Sequence, residues 1–211
     1  MTRLLSSPQL YKPSRRQFLI HSGFLLTSLC LGFGCSDETN TPQTGDTEEL
    51  LIKLNADLNQ NRTIRFPDGP IQVCVENVPD GRNQVRTWSE ALKDIFEFQF
   101  VDSSPSQGIT IRYGIQAPII CGVTYEPNWK DGIIKSAVIE LDPKVLVPVL
   151  GGCNQTVTHE VGHALGMLGH IGDGHLMDSD GGDGQISDQI LEFFSILYSY
   201  PPNTLVADIF G

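Results

Sequence analysis

The sequence predicts an α+β fold with one main domain, and the spacing of its apolar residues carries this prediction. Residues 71–75 are apolar at alternate positions, which indicates a strand with one buried face. Residues 137–141 read Ala-Val-Ile-Glu-Leu and indicate a second strand. Between these strands, apolar residues recur at helical spacing, namely Val85, Trp88, Leu92 and Phe96.

The other elements follow from the same reasoning. A short helix before the first strand would have three leucines on its inner face, Leu51, Leu54 and Leu58. The helix after the first strand is predicted from Arg82 to about Phe96. Further strands are predicted over residues 98–101, 109–113 and 121–125. Ser187 would cap a last helix with four apolar residues inside, Ile190, Phe193, Phe194 and Leu197.

Residues 1–34 are predicted to be an export signal. Residues 14–20, Ser-Arg-Arg-Gln-Phe-Leu-Ile, resemble the twin-arginine signal, and the apolar run from Phe18 to Phe33 is interrupted by polar residues. A membrane span needs about 20 predominantly apolar residues, so this run favours a signal over an anchor helix, the alternative. Cys35 follows small residues and resembles a bacterial lipoprotein cleavage site, where the thiol is lipidated. An ordinary secreted protein is the alternative interpretation.

Residues 35–49 are predicted to be a polar tether, and residues 50–211 the folded domain. Ser36 to Glu49 are almost all polar or small residues and cannot bury enough apolar surface to order themselves. Residues 1–34 carry four basic and no acidic side chains, which leaves 10 basic and 25 acidic ones, a formal charge of −15. This charge argues against nucleic acid as a partner and against electrostatic docking on anionic lipid. Membrane attachment would instead be through lipid on Cys35.

The strongest motif is the H-E-x-x-H sequence from His159 to His163. Residues four apart lie on one face of a helix, so His159 and His163 can direct two imidazoles at one metal ion, with Glu160 beside them. Zinc suits imidazole ligands, and its catalytic sites use three protein ligands and an open position. Gly166 can adopt positive φ, end the helix and turn the chain so that His170 becomes the third ligand.

A polar helix face is the alternative interpretation of these histidines. Two features favour a metal site instead. Four of the five histidines fall between His159 and His175, and the fifth lies in the leader. The helix also has the apolar spacing of a core helix, where imidazoles and a carboxylate are costly to bury unless they are paired or bind a metal.

Three cysteines remain after Cys35, and export into an oxidising compartment predicts one disulfide and one free thiol. The sequence allows three pairings of Cys74, Cys121 and Cys153. Cys121–Cys153 is favoured because it would tie the segment before the histidine helix to a neighbouring strand. A free cysteine that covers the metal as a latent ligand is an alternative.

These features together resemble the metzincin clan of zinc endopeptidases, and within it a matrixin-type catalytic domain. The resemblance is carried by His159-Glu160-x-x-His163-x-x-Gly166, a nearby third histidine, and Leu176-Met177 in the position of the Met-turn. It implies a zincin-like fold, in which a twisted mixed sheet with an antiparallel edge strand lies over the metal-binding helix. It also implies one catalytic zinc ion, with Met177 as an apolar floor beneath the imidazoles.

The third ligand departs from the clan's pattern. The clan has two residues between the glycine and the third histidine, whereas three intervene here, Met167, Leu168 and Gly169. His170 is the preferred ligand, with the extra residue absorbed in a turn assisted by Gly169. His175 and Glu192 are the alternatives.

The function that this resemblance implies is hydrolysis of peptide bonds in extracytoplasmic proteins or peptides, at the periplasm or cell surface. Glu160 would take a proton from the attacking water and pass it to the leaving amine. Two other functions stay open: a non-catalytic lipoprotein that binds a peptide or partner, and a zinc-capturing protein. The acidic loop Asp178 to Asp188 could hold calcium, although its spacing does not fit the EF-hand pattern and a solvated loop is favoured.

Overall fold

The computed structural model describes residues 44–116, 120–143 and 153–211. The predicted export signal, Cys35 and the first part of the predicted tether lie outside the described residues. Helix α1 spans Thr44–Leu51 and continues into a π-helical turn, Ile52–Ala56, and a 3₁₀ turn, Asp57–Asn59. The folded region therefore begins within the segment predicted as a tether.

The reason for this earlier start is a contact with the last helix. The side chain of Thr47 is only 2 % exposed, and its hydroxyl donates a hydrogen bond to Glu192 Oε1 at 3.1 Å. This packing was not predicted, because residues 36–49 are almost all polar or small. The three leucines predicted on one face also separate, since Leu51 and Leu54 are buried whereas Leu58 is exposed.

The sheet contains six strands within the described residues. The strands are β1 Ile71–Val75, β2 Phe98–Val101, β3 Gly108–Tyr113, β4 Gly122–Thr124, β5 Asn128–Lys130 and β6 Ile133–Leu141. Their order is β2-β1-β3-β6-β4, and β5 also pairs with β6. Strands β2, β1, β3 and β6 run parallel to one another, whereas β4 and β5 pair with β6 in the antiparallel direction. This is the mixed, twisted sheet of an α+β fold, as predicted.

The predicted strands are all present, but β6 begins four residues earlier than residue 137, and β5 was not predicted. Helix α2 spans Gly81–Ala91, so it ends before the predicted Phe96. The four apolar residues that predicted it are nevertheless buried, two of them, Leu92 and Phe96, in the turns after the helix.

Helices α3 Thr156–Ala164 and α4 Asp188–Ser199 complete the core, followed by the short helix α5 Ala207–Phe210. Trp88 of α2 is fully buried, donates its indole N–H to Thr158 O at 2.8 Å and packs edge-to-face on Phe194 at 5.0 Å. The Ser187 hydroxyl accepts a hydrogen bond from Ile190 N, so the predicted cap of α4 is present. The four apolar residues predicted inside α4 are all fully buried.

The favoured disulfide, Cys121–Cys153, is present, and Cys74 on β1 is a buried free cysteine. The disulfide joins the residue before β4 to a residue three positions before α3. Within the described residues, none of the helices is both long enough and apolar enough to span a membrane.

Candidate metal centre

Helix α3 is held at its beginning by side chains of α2. The amide oxygen of Gln84 accepts a hydrogen bond from Val157 N at 3.1 Å, which satisfies one of the backbone donors that a helix leaves free in its first turn. Further along, a Cβ at Gly162 would lie 2.5 Å from Met177 Sδ and 2.9 Å from Trp88 Cζ2. Only glycine fits there, so the histidine-bearing helix is packed closely against both neighbours.

His159 and His163 are each fixed by a main-chain carbonyl. His159 Nδ1 lies 2.6 Å from Leu176 O, and His163 Nδ1 lies 2.6 Å from Met167 O. A carbonyl only accepts, so in the neutral rings Nδ1 carries the proton and Nε2 has a free lone pair. The two Nε2 atoms lie 3.0 Å apart. With Zn–N bonds of about 2.05 Å and tetrahedral angles, two ligand nitrogens would lie roughly 3.3 Å apart, close to this distance.

His170 joins this pair. Its ring centroid lies 5.3 Å from that of His159 and 4.9 Å from that of His163, and one ring nitrogen from each of the three residues lies within 4.8 Å of the others. Among the described residues, this is the single group of three His, Cys, Asp or Glu side chains with the spacing of a metal site. His159 and His163 are partly buried, whereas His170 is exposed.

The turn to His170 uses Gly166 as predicted. Gly166 has φ +118°, and its N–H donates to His163 O at 3.1 Å just after the helix ends. Gly169 lies at a bend of this segment and does not have positive φ. Its lack of a side chain matters in another way, because a Cβ there would lie 2.9 Å from Leu54 Cδ2.

Asn55 holds the chain at Gly166, where the path to His170 begins, and this contact was not predicted. Its side chain is 2 % exposed and donates to Gly166 O at 2.8 Å and to Ile64 O at 2.6 Å, while its oxygen accepts from Ile64 N. Beside it, Leu54 O accepts a hydrogen bond from Leu168 N at 2.6 Å. The three-residue segment after Gly166 is therefore seated on the first helical region. The sequence does not single out Asn55, because Lys53, Asp57 and Asn59 in the same stretch are polar too.

Electrostatics disfavour a proton on two rings of this cluster. Burial and the neighbouring His159 together lower the pKa of His163 to about 3. Partial burial, and again His159, lower the pKa of His170. The Nε2 atoms of His159 and His163 lie 3.0 Å apart, and a metal cation is a group that fits between imidazole nitrogens arranged in this way. Imidazole ligands suit zinc, copper, iron and nickel.

Glu160 follows His159 on α3 and is 7 % exposed. Burial raises the pKa of its carboxyl, an effect opposed by His159 and by a hydrogen bond from Thr124. The Thr124 hydroxyl on β4 lies 2.8 Å from Glu160 Oε2 and 2.7 Å from Glu160 O. The edge strand of the sheet thus contacts the one carboxylate that adjoins the histidine cluster in sequence.

Leu176 and Met177 pack against helix α3 beside the histidines. Both are fully buried; Leu176 O accepts from His159, and Met177 O accepts from Ile171 N at 3.1 Å. The Met177 sulfur lies against Gly162, between the two histidine positions of α3. The residues of the predicted Met-turn therefore orient one imidazole through a backbone carbonyl and pack beneath the helix through a side chain.

The alternative ligands lie elsewhere. His175 is exposed, with Nδ1 3.0 Å from Asp183 Oδ2. Glu192 accepts from Thr47 on α1, and Cys74 is buried on β1. None of these three belongs to the cluster described above. In the acidic loop, Asp178, Asp180 and Asp183 accept hydrogen bonds from backbone N–H groups of the loop itself. That pattern is typical of a self-capped loop and gives no support to calcium there.

No protein-family model matches the sequence, and no curated protein matches it. Among solved structures, a similarity is found to one described as the structure of myroilysin, with a TM-score of 0.31 and 19 % sequence identity. The match covers 52 % of this chain and 52 % of that chain, so it spans about half the length of either. A similarity this low leaves the function to be inferred from the residues of the site.

Proposed function

We propose that this protein is a zinc-dependent endopeptidase with a zincin-like fold of the metzincin type. One observation carries the proposal: three imidazoles converge, and in two of them a main-chain carbonyl holds Nδ1 so that Nε2 faces the shared space. His159, His163 and His170 would hold the ion. Bound zinc would supply Lewis acidity toward a scissile carbonyl and would lower the pKa of a water ligand to about 7.

The chain's own residues would supply the rest of the reaction. Glu160 is the general base and acid of the proposal: its carboxylate would accept the proton of the attacking water and deliver it to the leaving amine. Its burial supports this role, because a raised pKa favours return of the proton to the amine at neutral pH. Met177 and Gly162 would keep the helix that carries both ligands in place.

The edge of the sheet supports a peptide as substrate. Strand β4 is the last strand in the order β2-β1-β3-β6-β4, and within the described residues it pairs only with β6. An extended peptide could add to its free side by main-chain hydrogen bonds, which gives binding without dependence on one side chain. Because β4 also contacts Glu160, a peptide on this edge would lie near the proposed base.

The proposed location is extracytoplasmic, with the chain anchored by lipid on Cys35. The Cys121–Cys153 disulfide supports an oxidising compartment. In cells that process the leader, Cys35→Ser should move the protein from the membrane pellet to the soluble fraction. A protein that stays in the pellet would contradict the lipid anchor.

The test of function uses purified protein, with metal measured by elemental analysis and cleavage measured on an unfolded protein. We expect one zinc per chain in wild type, and in Glu160→Ala we expect retained zinc with cleavage abolished. His170→Ala should lose zinc, whereas His175→Ala, the matched control, should keep both zinc and activity. Bound zinc without cleavage would favour a non-catalytic binding protein. Absence of zinc from wild type would overturn the proposal.

A further inference from the structure

Strand β4 lies unusually close to α3, and Gly122 makes this approach possible. A Cβ at Gly122 would lie 2.6 Å from Thr156 Cγ2 and 3.1 Å from Glu160 Cγ. Thr156 and Glu160 are four residues apart, so they lie on the same face of α3, and β4 runs along that face. The aliphatic part of the Glu160 side chain is thereby packed against the edge strand.

Two residues further along β4, Thr124 reaches the polar end of the same side chain. Its hydroxyl lies 2.8 Å from Glu160 Oε2 and 2.7 Å from Glu160 O. A hydroxyl has a single proton, so it donates to one of these oxygens at a time. The bond to the carboxylate is charge-assisted and therefore the stronger of the two. Gly122 and Thr124 together confine Glu160 along its length.

The Thr124 hydroxyl is itself held in a fixed position. Thr124 pairs with Ile139 in the antiparallel ladder, and Tyr125 N donates to Val138 O at 3.0 Å just beyond it. Threonine is β-branched, which restricts χ1. At the other end of β4, the Cys121–Cys153 disulfide ties the strand to the segment before α3. The β4–β6 ladder thus fixes the Thr124 hydroxyl, and the disulfide links its strand to helix α3, which carries Glu160.

We propose that Thr124 is a positioning residue that holds the Glu160 carboxylate in the orientation needed for proton transfer. The inference rests on the proposed function for its catalytic meaning, but its structural part stands on the contacts of β4 with α3. A free Glu side chain has three rotatable bonds, and proton transfer depends on hydrogen-bond geometry within about 2.6–3.2 Å. A purely structural role, in which the hydroxyl pins β4 to the main chain of α3 through Glu160 O, is the competing explanation.

The test compares Thr124→Val, which removes the hydroxyl and keeps the shape, with Thr124→Ser, which restores the hydroxyl. Thr110→Val is the matched control, because Thr110 is also a strand threonine with a hydrogen-bonded hydroxyl, its partner being Ser104 Oγ. We expect Thr124→Val to lower kcat about tenfold or more, part of the 10²–10⁴-fold that a general base contributes. KM and zinc content should stay within about twofold of wild type, Thr124→Ser should recover most of kcat, and Thr110→Val should match wild type.

A second measurement does not depend on activity. In a crystal structure of Thr124→Val, we expect the Glu160 carboxylate to leave its position while β4 and α3 keep theirs; an unmoved carboxylate, or an unchanged kcat, would overturn the proposal. A variant in which β4 separates from α3 would overturn it in favour of the structural role. A Ser variant as impaired as the Val variant would also overturn it, because loss of the hydroxyl would then not be the cause of the defect. If wild type fails to cleave any peptide, the proposed function fails, and the position of the carboxylate still decides whether Thr124 holds it.

Discussion

The histidine cluster and the loop that follows it, residues 171–187, place a histidine side chain in opposite environments. In the cluster, His163 Nδ1 contacts a main-chain carbonyl, the ring is partly buried, and its pKa is lowered to about 3. In the loop, His175 Nδ1 contacts the Asp183 carboxylate, the ring is exposed, and this hydrogen bond raises its pKa. A neutral acceptor with burial keeps a lone pair available for a metal, whereas a charged acceptor in water favours a proton.

The largest expected difference between the two regions is in metal affinity. His163→Ala removes one of the three proposed ligands and opens a hole beside the other two, so we expect zinc affinity to fall about 100-fold or more. His175→Ala removes an exposed ring that does not reach the cluster, so affinity should stay within about twofold. Isothermal titration with zinc measures both. Equal losses in the two variants would contradict the assignment of the cluster as the ligand set.

The next largest difference between the two regions is expected in how acid pH changes their contributions to stability. The pKa of His163 is lowered in the folded, metal-free chain, so the unfolded chain binds this proton more readily. Its contribution to stability is complete above the ordinary value of 6.5 and falls as pH drops from there toward about 3. The raised pKa of His175 has the opposite sign: its contribution is present below 6.5 and lost as pH rises through the folded value.

Urea unfolding of metal-free protein between pH 7 and pH 4 measures this sign, with the comparison made between variants because carboxylates titrate in the same range. His163→Ala should lose less stability on acidification than wild type does. His175→Ala should lose at least as much as wild type. An identical pH dependence in wild type and His163→Ala would show that the ring is accessible to protons in the folded chain.

The turns of the two regions should differ in how much the free energy of unfolding falls when a glycine is replaced by alanine. At Gly166, φ is +118° and an added Cβ would lie 2.9 Å from Ile64 O, so Gly166→Ala combines backbone strain with a clash. We expect a loss of about 2–4 kcal/mol in the free energy of unfolding, together with weaker zinc binding. At Gly172, φ is +67° with nothing within 4 Å of the added atom, so Gly172→Ala should lose only about 1 kcal/mol. Chemical denaturation provides both values.

The smallest effect is expected in the loop. Asp183→Asn removes the charged partner of His175, so the pKa of His175 should fall toward its ordinary value. NMR titration of the imidazole protons would follow this directly. The thermal midpoint and zinc content should not change measurably, because both side chains are solvated. A change in zinc content would mean that the loop communicates with the cluster.

The sequence predicted the parts of the fold that depend on local patterns. Strand β1 alternates, α4 has a cap and an apolar face, and both are present where expected. Strand β5, Asn128–Lys130, is too short to show alternation and is defined only by its pairing with β6. The start of α1 was hidden for a similar reason, since Thr47 is buried by a helix about 145 residues away in the chain.

The same distinction between local patterns and contacts of distant residues holds within the site. The spacing of His159 and His163 and the positive φ of Gly166 are local properties, and the structure brings them together as predicted. Their role as ligands stays a prediction. The choice among His170, His175 and Glu192 could not be made from spacing, because the path after Gly166 depends on Asn55, 111 residues earlier. Thr124 was not predicted either, since the register of β4 on β6 brings it to Glu160.

The Cys121–Cys153 bond has a consequence for how the molecule breaks as well as how it folds. The bond closes a loop between residues 32 apart in sequence, which restricts the unfolded chain by roughly 3.5–4 kcal/mol at 25 °C in the chain-entropy description. Strands β4, β5 and β6 all lie within this loop. A protease that cut once between Thr124 and Cys153 would leave two fragments joined by the disulfide, one carrying Thr124 and the other carrying the three histidines. On a denaturing gel, such a nicked molecule would migrate as a single species until a reductant separated the two fragments.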